Sequence, residues 1–478
     1  HTIAKADEAL LAELGYKQEF KRAFTPLEVF GIAFSIIDLL PSIASALFYA
    51  VPNGGPAAMV WGVCTCFNNS IFWIASIDWG CAVQIMAAVS IGSGQTFTAT
   101  SAQTFGVYVA IVLSHGVVCC LGTAVLARLQ TVYVVLNICL CLAVIIGLPA
   151  ATPKEYMNSA SYALGNFTNL NGWPDGYAFI LSFLAPLWTI SNFDSSVHIS
   201  EESSNAATAV PWAIVSAIGI SGLLGWAINV SLAFCMGTDL EYVVTSPIGQ
   251  PMAQIFFNSF GQNGTLALWA IVVLVQYMMG SSMVLAASRQ SFAFARDGAL
   301  PFSSYLYRMN SFTKTPVNTV WFVVAFAIVL GMLSFAGAQA INAIFSISVT
   351  ALYIAYAIPI TARFVFKNDF KPGPFSLGVF SLPIAIIAVS YMAFMDIVFF
   401  FPATPQTDVL SMNYTVVVLG GMLVLSIVWY YFPVYGGVHW FTGPVPNIGK
   451  LVEEIPSSSR GSVEKMERVD IKKISVEA

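Results

Sequence analysis

The chain has 478 residues, of which 57% are hydrophobic and only 9% charged, with a formal net charge of −5. Soluble domains carry about 25% charged residues, so this composition excludes a soluble enzyme and identifies a polytopic membrane protein whose first partner is the lipid bilayer. The charges sit mostly in tails and loops, and no basic patch suited to nucleic acid appears.

No Asp, Glu, Lys or Arg lies between Asp38 and Asp78, between Asp78 and Arg128, or between Lys314 and Arg363. Each gap holds up to two spans of roughly 20 residues. Hydropathy places spans near 28–50, 56–76, 80–98, 107–126, 130–149, 176–197, 211–236, 265–288, 319–338, 342–362, 378–401 and 413–432, twelve in all. Residues 1–27 read as an N-terminal segment, 28–432 as the membrane domain and 433–478 as a C-terminal tail.

The basic residues test this count. Lys5, Lys17, Lys21 and Arg22 precede span 1, Arg128 follows span 4, Arg289 to Lys314 follow span 8, and Arg363, Lys367 and Lys371 follow span 10. The tail adds Lys450, Arg460, Lys465, Arg468, Lys472 and Lys473, whereas the opposite loops hold only Lys154. Both termini are therefore expected in the cytoplasm. Sequons at Asn166, Asn263 and Asn413 all fall in expected outer loops. From Lys450 onward the chain turns polar without apolar periodicity, the composition of a disordered extension. It begins at His1 rather than Met, which points to a missing initiator segment; its charged start is no signal peptide, and span 1 is expected to direct targeting.

Cys64, Cys66, Cys81, Cys119, Cys120, Cys139, Cys141 and Cys235 lie in apolar stretches without zinc-ligand spacing, and read as helix-packing residues. His1, His115, His198 and His439 are scattered, so neither a metal site nor a catalytic triad is expected, and no cofactor.

Two spans are interrupted by polar residues. Span 1 reads FGIAFSIIDLLPSIASALFYA, with Asp38 followed by Pro41, Ser42 and Ser45; span 6 carries Pro186, Ser191, Asn192 and Asp194. Polar backbone at membrane depth is tolerated only where it is buried in protein or lines a cavity, so each break proposes a binding site. Two interrupted helices five spans apart are what an inverted-repeat secondary transporter needs. The positive half-helix N-termini suit a carboxylate; an ammonium group seeks freed carbonyls, an Asp, or the faces of Trp188 and Phe193.

Three segments, FSIIDLLPSIAS, APLWTISNFDSSVHISEESSNAATAVPWAI and SRQSFAFARDGALPFSSYLYRMN, resemble the amino acid–polyamine–organocation superfamily, within it the fungal amino acid, GABA and choline permeases. The resemblance covers most of the chain. It implies an all-α, LeuT-like fold of two inverted five-helix repeats, about 28–149 and 176–362, with two extra helices at about 378–432. It also implies uptake of an amino acid or amine, usually coupled to protons, at the plasma or vacuolar membrane.

Three departures accompany it. Asp38 stands where a small residue, usually glycine, is expected, and its carboxylate repels that of a substrate unless the substrate is more cationic or Asp38 carries a proton. Asn192 likewise replaces a small residue. Between MVWG and SIDWG only VCTCFNNSIFWIA remains, roughly one span short of the family pattern. Residues 55–98 extend roughly 66 Å as helix, enough for two short spans hinged near Asp78 or for one long tilted span; the basic loops favour two.

The expected substrate-binding set is Ser35, Ile37, Asp38 and Ser42 from span 1, Trp188, Thr189, Ser191, Asn192, Phe193 and Asp194 from span 6, and Tyr277 and Ser281 from span 8. Arg296 and Asp297 are expected to form a gating ion pair. His198 reads as an interface residue, Glu201 and Glu202 as a charged loop before span 7, and Asp396 as structural. A GABA-like amino acid leads as substrate; choline or a polyamine, or a transport-defective nutrient sensor of the same fold, are the alternatives. Span 5 offers only Asn137 as a strongly polar group, so no proton carrier is identified.

Overall fold

The computed structural model describes residues 2–13, 15–20, 22, 24–63, 73–121, 123–300, 302–366, 372–406, 412–434, 436–441 and 443. The C-terminal tail beyond 443, Lys367, Lys371, Cys64 and Cys66 lie outside the described residues. Helices follow one another as α1 (Thr2–Glu13), α2 (Pro26–Ile37), α3 (Leu39–Ala50), α4 (Gly55–Gly62), α5 (Trp73–Gly92), α6 (Ser101–Cys119) and α7 (Thr123–Ala151). Then come α8 (Ala160–Gly165), α9 (Asp175–Leu181), α10 (Leu184–Thr189), α11 (Ser195–His198), α12 (Ala206–Cys235) and α13 (Leu240–Thr245). The remainder are α14 (Pro251–Arg296), α15 (Ser303–Leu306), α16 (Val317–Gly331), α17 (Ala338–Val365), α18 (Ser381–Phe400) and α19 (Thr415–Tyr430).

Among the described residues nine helices or helix pairs are long and apolar enough to cross a membrane. The shorter α19 and the interrupted α9–α11 occupy the positions of two further expected spans. The exterior is apolar: Ile146, Leu223, Ile387 and Leu425 are 68–70% exposed, as residues facing hydrocarbon are. Inside, α2 packs on α7 and α12, α3 on α10, and α14 on α5, α6, α7 and α16. The two interrupted spans thus lie at the centre, and α14 runs beside them.

Local chemistry sets several boundaries. Thr25 and Glu28 form a reciprocal cap at the start of α2, with the Thr25 N–H donating to Glu28 Oε2 at 2.7 Å and Pro26 at the first helical position. Gly261, at φ 68°, kinks α14 just before the expected start of span 8. Asn263 follows that kink within the helix rather than in a loop, and the Asn413 amide is held by the Phe399 and Phe401 carbonyls.

The shortened region resolves differently from the expected hinge at Asp78. Helix α4 has only eight residues, and Asp78 lies inside the continuous α5. Residues 64–72, between them, lie outside the described residues.

Candidate functional site

The first break is a single residue. Asp38 takes φ 39° and ψ 67°, a left-handed conformation between α2 and α3. Among non-glycine residues Asp and Asn visit this region most readily, otherwise at a cost of about 1–2 kcal/mol. The Ser42 hydroxyl donates to the freed Ile37 carbonyl at 2.8 Å. Asn137 of α7 donates to Asp38 Oδ1 at 2.6 Å, whereas Oδ2 is buried with no protein partner.

In the second break, α10 stops at Thr189 and the chain reaches α11 through Ile190–Asp194, with Asn192 left-handed at φ 58°. Pro186 lies within α10 and does not mark the break. The Thr189 hydroxyl donates to the Ala185 carbonyl at 2.8 Å and that of Ser191 to Trp188 at 2.6 Å. Both amide atoms of Asn192 are fully buried without a protein partner. Asp194 faces His198 at 3.7 Å, so His198 belongs to the break. The breaks meet through Ile37 and Phe193, which share an apolar cluster with Ala33, Phe34 and Ala217. Trp188 packs on Phe345 of α17, with ring centres 5.0 Å apart, and forms a core wall.

Both departures from the expected small residues thus fall on the left-handed positions. Glycine adopts that backbone freely, and Asp and Asn are its closest substitutes.

Helix α14 joins this centre by a different face from the expected one. Tyr277 hydrogen-bonds Ser114 at 2.9 Å, and the Ser281 hydroxyl donates to the Met278 carbonyl at 2.8 Å, with Tyr133 at 3.5 Å. Met279 instead meets the Ser42 hydroxyl at 3.6 Å, and Ser282 accepts from Gln130, whose Oε1 accepts from Ser35 at 2.7 Å. Gln84 of α5 donates to the Pro41 carbonyl and to Gln276 Oε1, at 3.1 and 3.3 Å. The sequence reading leaves out Gln84, Gln130 and Gln276 and names Asn137 only as the polar group of span 5; an amide side chain in an otherwise apolar span is the signal that points to all four.

Beside the breaks lies a small cavity of about 20 Å³, lined among others by Leu39, Ile43, Met59, Thr189, Ile190 and Asn229. Its two polar groups bond within their own helices, Thr189 as above and Asn229 to the Gly225 carbonyl at 2.9 Å. It is an apolar annex at the end of α4, and the unpartnered polar atoms of the breaks belong to Asp38, Asn192 and Ser195.

The bundle is closed at the face that carries the N-terminal segment. Arg296 pairs with Glu201 at 2.8 Å and lies only 4.0 Å from Asp297, so the expected Arg296–Asp297 gate is chiefly an Arg296–Glu201 contact. Glu202 is no solvated loop residue: it pairs with Arg289 at 2.7 Å with both side chains 1% exposed. The N-terminal segment straps this junction, with the Phe24 N–H donating to the Glu202 carbonyl at 3.0 Å and Arg22 to that of Ser203 at 2.6 Å. Tyr16 lies under Arg296, 4.3 Å from its guanidinium carbon, and its phenol is pushed up by burial and then by Asp297. Tyr307 bonds Glu19.

Interrupted helices at the core of a many-span bundle define a membrane transporter, not an enzyme. The family model for amino acid permeases matches residues 63–423. An uncharacterized amino-acid permease of Schizosaccharomyces pombe is 33% identical, with 95% of this chain and 90% of the relative covered. The GABA-specific permease of Saccharomyces cerevisiae is 33% identical over 92% of this chain and 86% of its own length. Amino-acid permease 2 of Neurospora crassa is 30% identical, covering 92% and 89%. The chain belongs to the amino acid permease family. Its alignment with the first relative runs over 500 positions, more than its own 478 residues, so gaps separate the two.

Proposed function

We propose that the protein moves GABA or a related amino acid across its membrane by alternating access, coupled to protons, with the N-terminal face in the cytoplasm. The observation that carries this reading is the meeting of two left-handed breaks, one bearing a carboxylate oxygen and the other an amide, both buried and without protein partners. The substrate amine pairs with Asp38 Oδ2. The Asn192 amide receives the substrate carboxylate. A flexible chain between the two charges lets one molecule reach both breaks, which supports a GABA-like substrate. The sequence similarity to a GABA-specific permease supports the same class.

Transport follows from rocking of α2–α4 and α9–α12 against α5, α6, α14 and α16. The Glu201–Arg296 and Glu202–Arg289 pairs close the cytoplasmic side in this arrangement and part when the site opens inward. The basic loops support this orientation.

A second reading, a choline or polyamine permease, is favoured by the Asp38 carboxylate alone. Uptake of labelled GABA, neutral α-amino acids, choline and putrescine into proteoliposomes, at two external pH values, separates them. Saturable GABA uptake that rises with an inward proton gradient is expected. Uptake of choline or putrescine instead selects the second reading, and binding without flux assigns the chain to nutrient sensing.

A further inference from the structure

Asp78 of α5 and His115 of α6 take no part in the breaks, yet they form the most enclosed ionisable couple among the described residues. His115 Nδ1 lies 3.3 Å from Asp78 Oδ2, with both side chains 0% exposed. Asp78 Oδ1 and His115 Nε2 are buried without protein partners. A carboxylate only accepts hydrogen bonds, so the ring proton of a neutral His115 sits on Nδ1 and Nε2 keeps its lone pair. The couple then carries one negative charge; a proton added at Nε2 gives an imidazolium–carboxylate pair of net charge zero. Such pairs add little stability for their desolvation cost, and ionisable groups at membrane depth characteristically serve ion or proton pathways.

Among the described residues the nearest cation is Arg289 of α14, within electrostatic reach of Cys119 but already paired with Glu202 at 2.7 Å. On its own helices the neighbouring titratable groups are Cys81, Tyr108 and Cys119, and α14 presents Tyr277, whose ring centre is 4.3 Å from that of His115. Helix α3 is headed by Asp38, within electrostatic reach of the same Cys81. Helix α16 carries no titratable group, and α17, joined to α5 through Ser348 and Ser76, carries Tyr353, Tyr356 and, in its last turn, Arg363. Arg363 lies about 22 Å along the helix from Ser348.

Helix α14 links this couple to the broken helix. A Cβ at Gly280 would stand 2.1 Å from Asp78 Oδ1 and 2.6 Å from His115 Cε1, so the α14 backbone lies directly against the couple. Within the same two turns, Gln276 and Ser282 reach Gln84 and Gln130, which hold span 1, and Met279 meets Ser42 of span 1 itself.

We propose that Asp78 and His115 form the proton-binding site of the transporter, with Nε2 of His115 as the atom that takes and releases the proton. Because Nε2 is buried in this arrangement, exchange requires α5, α6 and α14 to shift, which ties proton occupancy to the conformational cycle. This inference rests on the proton-coupled reading above and names its carrier.

The test uses the full chain in proteoliposomes with labelled GABA, as wild type, Asp78→Asn, His115→Gln and the double variant. One proton per cycle across a one-unit inward pH gradient sustains about a tenfold concentration ratio. Wild type is expected to reach it, and all three variants are expected to fall to a ratio of one while retaining GABA counterflow at equal pH. A wild-type ratio of one at every pH overturns the coupled reading, and the site with it. A gradient sustained by wild type and by both single variants overturns the site alone. Loss of counterflow in the double variant, which retains polar side chains without charge, makes the couple part of the scaffold and equally overturns the proposal.

Discussion

Asp38 and Asn192 occupy the same kind of backbone position, a left-handed residue between two helical segments, yet their surroundings differ. Asp38 is followed at once by the 12-residue α3, and its carboxylate is anchored by Asn137. Asn192 is followed by two further irregular residues and a four-residue α11, and neither end of its amide is held by protein. The half-helix beyond the second break is tethered instead at its far end, where Glu202 meets Arg289. One break is fixed at the turn, whereas the other is fixed from outside and keeps its turn open to a ligand.

The largest expected effect removes that outside tether. Glu202→Ala leaves Arg289 charged, buried and without its ion-pair partner, a loss of about 3–5 kcal/mol. Thermal unfolding of the detergent-purified protein should show a large drop in Tm, against a small one for Glu201→Ala, because Arg296 keeps Asp297 and Tyr16. Equal drops would remove the distinction. Next, Asn137→Ala frees Asp38 from its anchor and is expected to cost about 1.5–3 kcal/mol, the worth of a hydrogen bond to a charged group. An unchanged Tm would show that the first break needs no anchor.

The breaks themselves are legible in the sequence, because Asp38 and the Ser191–Asp194 cluster stand alone in otherwise apolar spans. Their left-handed positions are also legible once Asp and Asn are read as stand-ins for glycine. The partners are not. Asn137 is 99 residues from Asp38 and Gln130 is 95 from Ser35, and such pairings follow from helix packing, which no local periodicity encodes. Helix α14 illustrates the same limit. It is buried on several sides and has no single apolar stripe, so its phase toward span 1 cannot be read, and Tyr277 and Ser281 stand in for Met279 and Ser282. The eight-residue α4 is legible only as a deficit of residues. Asp78 and His115 were visible as the only ionisable Asp and His in a long uncharged stretch, but their meeting depends on how α5 and α6 pack.

Asn192→Gly separates the two breaks by sign. Glycine relieves the left-handed backbone and removes an unpaired amide, so Tm should rise by the equivalent of about 1–3 kcal/mol. The same variant should bind GABA about tenfold more weakly, as loss of one substrate hydrogen bond predicts. Asp38→Gly also relieves its turn but gives up the Asn137 bond, so stability should change little, and uptake of neutral α-amino acids should appear at the expense of GABA. A rise in Tm as large as that of Asn192→Gly would mean that Asn137 contributes nothing.

Asp194→Asn is the smallest of these perturbations. The carboxylate is 16% exposed and its contact with His198, at 3.7 Å, is long for an ion pair. Its charge nevertheless stands at the entry to α11, two residues from the Asn192 amide. Replacing it should reduce GABA uptake by a few-fold, about 1 kcal/mol, while surface expression measured on the same cells stays at the wild-type level. Uptake at the wild-type rate would remove Asp194 from the site and leave recognition at the second break to uncharged groups, the Asn192 amide and the Ser195 hydroxyl. A parallel loss of surface expression would make Asp194 a structural residue, and the second break would then be held from within as the first one is.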